Sequence, residues 1–126
     1  MEKRLKYAKL VIALAKNKRK TAVLQATEDM GLVTRHMNHD VIYKILAFFH
    51  DRDTADVTGD RNIQQFLDWA DQQDPIESLD DDYVLVGRVS LLLRGLGNAF
   101  NLKLRVTPYW KGEAQRLLKL HNQKCP

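Results

Sequence analysis

Hydrophobic residues recur every three or four positions along most of the chain, which is the spacing of amphipathic α-helices. The first segment sets lysines opposite one apolar face, made of Leu5, Ala8, Val11, Ile12, Leu14 and Ala15. A second helix carries Val23 and Met30 at the same spacing, and Gly31 is placed to end it in a left-handed conformation. The pattern therefore predicts helices from the first residues onward.

Start and stop signals delimit four further helices. Asn38 is the predicted N-cap of the third helix, and Pro75 follows the end of the fourth. The sequence S-L-D-D at 78–81 fits a capping box that opens the fifth, with acidic residues at its positive dipole end. Thr107–Pro108 predicts the start of the sixth. No strand is predicted, so we expect an all-α fold of about six helices.

The stretch at 80–100, DDDYVLVGRVSLLLRGLGNAF, would form a helix that is apolar on most sides. Arg88 and Arg94 interrupt it, so it does not supply the roughly 20 mostly apolar residues of a membrane span. Gly95 and Gly97 lack the preceding strand and third glycine of a phosphate-binding loop, and a glycine pair that ends a helix is the favoured interpretation. We expect a helix buried at the centre of a bundle. Arg88 and Arg94 would then be structural, pairing with acidic residues or reaching water.

Charge is distributed in blocks, although the net charge is only +4. Residues 1–20 carry a net +7, residues 51–82 a net −9 and residues 83–126 a net +7. We expect some of these opposite blocks to pair at the surface of a compact domain. A nucleic-acid-binding protein usually presents one continuous basic face, so no nucleic-acid partner is expected.

Candidate chemistry is sparse. Residues 51–62, DRDTADVTGDRN, are rich in aspartate but miss the glycine and glutamate positions of a calcium loop, which favours an acidic solvated loop. His36 and His39 have no third ligand nearby, which favours capping and surface roles over a zinc site. Cys125 alone makes no disulfide framework and is a poor candidate nucleophile. We predict no catalytic, cofactor-binding or metal site in this chain.

A small group near the C-terminus is a candidate partner-facing patch. It consists of Arg105, Trp110 and Lys111, where a cation could stack on the indole ring. A tryptophan at helical spacing is more often a core anchor, and both interpretations stay open. Residues 101–106, NLKLRV, lead into this patch and are expected to form a short extended connector.

Two longer segments carry a resemblance to a known family. The first, RLKYAKLVIALAKNKRKTAVLQATEDMGLVTR, resembles the region just after the DFG motif in aarF-domain (UbiB-like) atypical kinases. The second, DDDYVLVGRVSLLLRGLGNAFN followed by LRVTPYWKGEAQRLL, resembles the C-terminal end of that family's kinase-like domain. The resemblance extends from about Arg4 to Leu120. It implies that residues 1–126 form a single helical unit of an incomplete kinase-like domain, like the helical part of the large lobe.

The resemblance also implies a role in ubiquinone or prenyl-lipid homeostasis, with ATP and Mg bound by a full-length family member. The family's KxGQ lysine, its NPGN-type loop and its DFG aspartate are absent from this sequence. Phosphoryl transfer depends on residues of that kind to position phosphates and metal ions. We therefore expect a C-terminal, non-catalytic part of such a protein, with no cofactor of its own and no family site residue to carry over.

Two hypotheses about partners follow. In the first, the missing upstream kinase-like region, or a protein partner, covers an apolar face of the chain, which could otherwise self-associate. In the second, the chain is a free-standing helical interaction module that docks on a protein or an anionic membrane surface through its basic ends. Residues 1–20 lack the apolar run of a secretory signal, and a mitochondrial or plastid location is implied by the family alone.

Overall fold

The computed structural model describes residues 2–52, 54–99 (backbone only for 95–99), 107–124 and 126. Within them the fold is all-α, and the helices of six residues or more number six, as predicted. Their bounds are α1 Glu2–Ala15, α2 Arg19–Leu24, α3 His39–His50, α5 Ile63–Gln73, α6 Asp81–Ala99 and α7 Thr107–Leu120. A one-turn α4 spans Ala55–Thr58, and a π-helical segment, Gln25–Asp29, extends α2.

Two short strands were not predicted from the sequence. β1, Val33–Thr34, pairs antiparallel with β2, Ile76–Ser78, and Val33 lies opposite Ser78. Neither strand is long enough to show a period of two, which is the signal that marks a strand in a sequence. The pair joins the segment after α2 to the segment after α5, and so ties two distant parts of the chain together.

The most buried helix is α3, in which eight of 12 residues are buried. In α1 the five consecutive residues from Leu10 to Leu14 are all buried, because that helix has packed neighbours on two sides. Val11 and Ile12 contact Ala114 and Leu118 of α7, whereas Leu10 and Leu14 belong to the main core with α2 and α3. Phe48 and Phe66 stack within that core, with ring centroids 4.4 Å apart. The core is therefore built around α3, which contacts α2, α4, α5 and α6, and the prediction that the fifth long helix occupies the centre is wrong.

Several predicted helix ends are confirmed. Gly31 has a φ of +73° just after the π-helical segment. The side chain of Asn38 accepts hydrogen bonds from the backbone N–H groups of Asp40 and Val41 and caps α3. The helix α5 ends at Gln73, two residues before Pro75. At α6, however, the side chain of Asp80 accepts from the N–H of Asp82, whereas Ser78 lies in β2. The predicted capping box is thus replaced by an aspartate cap.

Two local predictions are wrong. The helix α6 continues through Gly95 and Gly97 as far as Ala99, so the glycine pair does not end it. The segment that follows α3 is not fully solvated, since Asp51 and Arg52 are both buried and Ala55–Thr58 forms the helical turn α4. The predicted connector at 101–106 lies outside the described residues.

Candidate functional site

The outward surface of α6 is apolar. Its exposed fractions are 62% for Leu85, 46% for Val89, 71% for Leu92 and 46% for Leu93. These positions follow one another at helical spacing, so they form one continuous stripe along the helix. We call these four residues the α6 stripe. Large apolar patches on a soluble protein typically mark interaction sites, which makes the α6 stripe the leading candidate for a functional surface.

The inward surface of α6 combines small and polar residues with Tyr83 and Leu91, which pack on the main core. Gly87, Ser90 and Arg94 are buried on this side, next to Tyr83. At Gly87 an added Cβ would lie 3.3 Å from Cε1 of His50 and 3.4 Å from Cβ of Phe49, so the glycine lets α6 approach α3 closely. The hydroxyl of Ser90 has no hydrogen-bond partner among the described residues. The helix therefore turns Ser90 and Arg94 to the core and keeps Leu85, Leu92 and Leu93 outward.

The two arginines of α6 have different surroundings. Arg88 is exposed and reaches water, and no described carboxylate lies within ion-pair distance of it. Arg94 is buried, and its guanidinium donates hydrogen bonds to the backbone carbonyls of Phe48 and Ser90. The guanidinium carbon of Arg94 also lies 5.9 Å from the centroid of the Phe48 ring. The contacts of Arg94 thus support a structural role for it. Arg88 instead reaches water, which was the other arrangement expected for these arginines.

A buried histidine lies beneath α6. His50 ends α3, and its Nδ1 is 3.2 Å from the hydroxyl of Tyr7 on α1. Burial, together with the positive charge of Arg94, lowers the pKa of His50 to about 4. Burial also raises the pKa of Tyr7. At neutral pH both groups are therefore uncharged, and the pair holds α1, α3 and α6 together.

Asp51 connects α3 to the start of α7. Its carboxylate is fully buried and accepts hydrogen bonds from the backbone N–H of Thr107, at 3.0 Å, and from the Thr107 hydroxyl, at 2.7 Å. Arg52 donates to the same carboxylate, at 2.6 Å, and also pairs with Asp56. A carboxylate at the N-terminus of a helix is favoured by the helix dipole. Asp51 therefore fixes the position of α7 and is not a solvated loop residue.

Asp74 has an equivalent role at the other end of the fold. Its fully buried carboxylate accepts hydrogen bonds from the Thr34 hydroxyl, at 2.6 Å, and from the backbone N–H groups of His36, at 2.6 Å, and Asn38, at 2.8 Å. Burial alone would raise the pKa of Asp74, but these three donors outweigh burial and lower it. The residue organises the loop that leads from β1 into α3. The exposed rings of His36 and His39 agree with their predicted surface roles.

A groove of about 650 Å³ lies between α1, α7 and the start of α6. Tyr7, Val11 and Leu117 contribute to its apolar floor, and Trp110 lies at one side. Trp110 is half-buried and packs on the cluster that joins α1 to α7, as a core anchor does. Lys111 follows it and is also half-buried, while Arg105 lies outside the described residues. The three residues of the predicted patch are therefore not shown to form one surface.

Surface charges from distant blocks meet, as predicted. The ammonium of Lys3 on α1 is 2.6 Å from a carboxylate oxygen of Asp82 and 3.1 Å from one of Asp80. Hydrogen bonds to Asp82 and Asp80 raise the pKa of Lys3. Because all three groups are exposed, this network adds little to stability. It does neutralise part of the acidic N-terminus of α6.

Metal and membrane sites were also sought in the described residues. No group of three or more His, Cys, Asp or Glu side chains in residues 2–52, 54–99, 107–124 and 126 is placed to hold a metal ion. Within the same ranges, no helix is both long and apolar enough to cross a membrane.

Comparisons with known proteins add no relative. No family model matches the chain, and neither the curated proteins nor the solved structures gave a match.

Sequence reasoning missed the residues that most shape this site. Asp51, Asp74 and His50 are polar residues at the ends of helices, where a polar residue is expected to be solvated. One signal was present for Asp74, because it precedes Pro75 and lies directly after a helix, where a side-chain acceptor can organise a loop. No comparable signal separates Asp51 from the other aspartates of its segment.

Proposed function

We propose that this chain is a non-catalytic helical unit, the C-terminal part of an aarF-type kinase-like protein, and that it works by offering the α6 stripe to another protein surface. The observation that supports the proposal is the orientation of α6. Four large apolar side chains face solvent, whereas a glycine, a serine and an arginine face the core. A helix that keeps a continuous apolar stripe in water is stable only to a limited degree unless that stripe is covered.

The absence of catalytic motifs from the sequence supports the non-catalytic part of this proposal. Kinase chemistry needs a lysine on the phosphates, acidic ligands for magnesium and a base. The sequence has no KxGQ, NPGN or DFG motif that could supply them. In the intact parent protein, these helices would support a nucleotide site built by upstream residues. ATP and Mg would then belong to the parent and not to this chain.

The first experiment is to measure the mass of the native product in its source cell. A denaturing gel, probed with an antibody against the C-terminal region, gives the covalent mass. A band several times heavier than 14.6 kDa supports the kinase-like parent. A band near 14.6 kDa would reject it and leave a free-standing module.

A substitution in the full-length parent gives a second test. Arg94→Met removes the hydrogen bonds to the backbone carbonyls of Phe48 and Ser90, and we expect it to lower stability by about 1–3 kcal/mol while nucleotide affinity is retained. Arg88→Met, at an exposed position of the same helix, is the matched control and should leave the urea midpoint nearly unchanged. Normal stability with lost nucleotide binding in Arg94→Met would contradict a structural role.

The second candidate function is a free-standing helical interaction module that docks through its basic ends. The observation in its favour is the turn between α1 and α2, where residues 16–20, KNKRK, are all exposed. Part of that charge is already paired, because Arg19 lies 2.9 Å from Asp40. Docking on an anionic membrane surface would be salt-sensitive. Sedimentation with anionic liposomes at low salt tests it, and no binding there would end this alternative.

A further inference from the structure

We propose that the α6 stripe is covered by the α6 stripe of a second copy of this chain, with the two helices antiparallel. This inference rests on the proposed function, because it takes the stripe to be a surface that is covered in the working protein. It goes further by naming the occupant of that surface. Three features of α6 carry it, namely the spacing of the stripe, the chemistry of the opposite face and the position of the acidic residues.

The spacing of the stripe is that of a two-helix seam. Leu85, Val89 and Leu92 are separated by four and then three residues, and Leu96 continues the series in the sequence after four more. Alternating steps of three and four residues keep side chains on one line when two helices coil around each other. Along the helix the seam positions read Leu, Val, Leu and Leu. Leu93 lies beside the seam and widens it.

The opposite face explains why a covering helix is needed. Ser90 and Arg94 are buried against α3. A rotation of α6 that brought its outward leucines into the core would therefore expose that interface or bury Arg88. Among the described residues nothing covers the outward face, which a surface from another molecule would bury. A second copy presents an identical line of leucine and valine side chains, which is self-complementary about a two-fold axis.

The acidic start of α6 selects the antiparallel arrangement. Asp82 lies three residues before Leu85, so it occupies the seam layer that precedes the stripe, and Asp81 lies next to it. In a parallel pair the two Asp82 carboxylates would face each other across the seam, and the helix dipoles would be aligned. In an antiparallel pair the acidic ends lie at opposite ends of the interface. Lys3 already contacts Asp82, at 2.6 Å, and reduces the remaining charge.

The size of the stripe sets the expected affinity. From Leu85 to Leu96 the helix is about 16 Å long, at 1.5 Å per residue. A contact of that length is smaller than the roughly 800 Å² that each partner contributes to a standard stable interface. We therefore expect a weak dimer, with a dissociation constant on the order of 10 micromolar.

The pairing is tested by measuring the mass of the purified chain in solution. Light scattering and sedimentation would cover concentrations between about 1 and 300 micromolar. The chain should shift from monomer to dimer over this range. Leu92→Asp should weaken the dimer roughly 100-fold, because the charge replaces a buried leucine in both copies. The matched control is Leu120→Asp on α7, since Leu120 is 70% exposed and Leu92 is 71% exposed. The control should leave the dimer unchanged.

Cysteine cross-linking tests the orientation. In a Cys125→Ser background, a mixture of Val89→Cys and Leu92→Cys chains should form a mixed disulfide, because the two positions face each other in the antiparallel seam. Leu85→Cys should not link to itself, since the two copies of that position would be about 16 Å apart along the axis. Efficient Leu85→Cys self-linking would instead show a parallel pair and overturn the proposed arrangement.

The outcomes separate this inference from the proposed function. A chain that stays monomeric at about 300 micromolar, or a dimer that Leu92→Asp does not weaken, overturns the second-copy inference. Neither result changes the covalent mass on a denaturing gel, which decides the kinase-like parent. Conversely, a dimer that Leu92→Asp disrupts supports the inference whatever that gel shows.

Discussion

His50 should make the stability of this protein strongly dependent on pH between about 7.5 and 5. In the folded state its pKa is about 4, because the imidazole is buried and lies near the positive charge of Arg94. In the unfolded chain the ring returns to the ordinary value of 6.5. Between these two values the unfolded state binds more protons than the folded state, so the free energy of unfolding falls as the pH is lowered.

The magnitude follows from the two pKa values. Each pH unit between them corresponds to about 1.4 kcal/mol, so the full effect is on the order of 3 kcal/mol. At about pH 5, where the unfolded ring is mostly protonated and the folded ring is not, roughly 2 kcal/mol is lost relative to about pH 7.5. The stabilisation that neutral, buried His50 provides is fully present above pH 6.5, and it disappears as the pH falls from 6.5 toward 4. The pKa values of Asp56 and Asp74 are lowered from the ordinary value of 3.8, so these two groups titrate below that pH range.

Urea unfolding at a series of pH values measures the effect directly. His50→Gln removes the titrating group and keeps an acceptor near the hydroxyl of Tyr7, so its stability should vary much less over the same range. His121→Gln, at an exposed position after α7, is the control and should keep the wild-type dependence. An equally steep fall in stability for His50→Gln, or a flat profile for the wild type, would refute the argument.

Two further predictions concern backbone organisation. Asp74→Asn should lower the free energy of unfolding by about 2–3 kcal/mol, because one buried and two part-buried donors lose a charged acceptor. Thermal and urea melts should show no comparable loss for Asp71→Asn, at an exposed site on α5. Gly112→Ala should raise it by up to about 1 kcal/mol, since this helical position has nothing within 4 Å of an added Cβ. Gly87→Ala should lack that gain because its Cβ would lie 3.3 Å from His50, and equal stabilisation by both substitutions would argue against close packing at Gly87.

The helical architecture could be predicted because its signals are local. The steps of three and four residues in α1, the cap at Asn38, the stop before Pro75 and the left-handed Gly31 each act within one or two turns of the chain. The cap, the stop and the left-handed glycine are confirmed by the structure. The helix α1 also forms, but Leu10 and Ala13, outside its predicted apolar face, are buried as well. The glycine pair at 95 and 97 was misjudged, since glycine lowers helix stability without ending a helix that other interactions support.

The position of α6 could not be predicted, because apolar content does not reveal which side of a helix packs. The sequence puts apolar residues on most sides of α6, and we expected it at the centre. The core is instead built around α3, which contacts α2, α4, α5 and α6. This arrangement depends on the close approach at Gly87, on the pair formed by His50 and Tyr7 and on the hold of Asp51 on α7.

The amino-acid sequence by itself determined the helical class, most helix ends, the alternating charge blocks and the lack of a recognisable catalytic motif. Only the tertiary structure decided that α3 is central, that α6 turns Leu85, Leu92 and Leu93 to solvent, and that Asp51 and Asp74 are buried acceptors. The physical reason is that helix periodicity is written in neighbouring residues. Burial and pairing depend instead on contacts between residues far apart in the chain, such as Asp51 with Thr107 and Thr34 with Asp74.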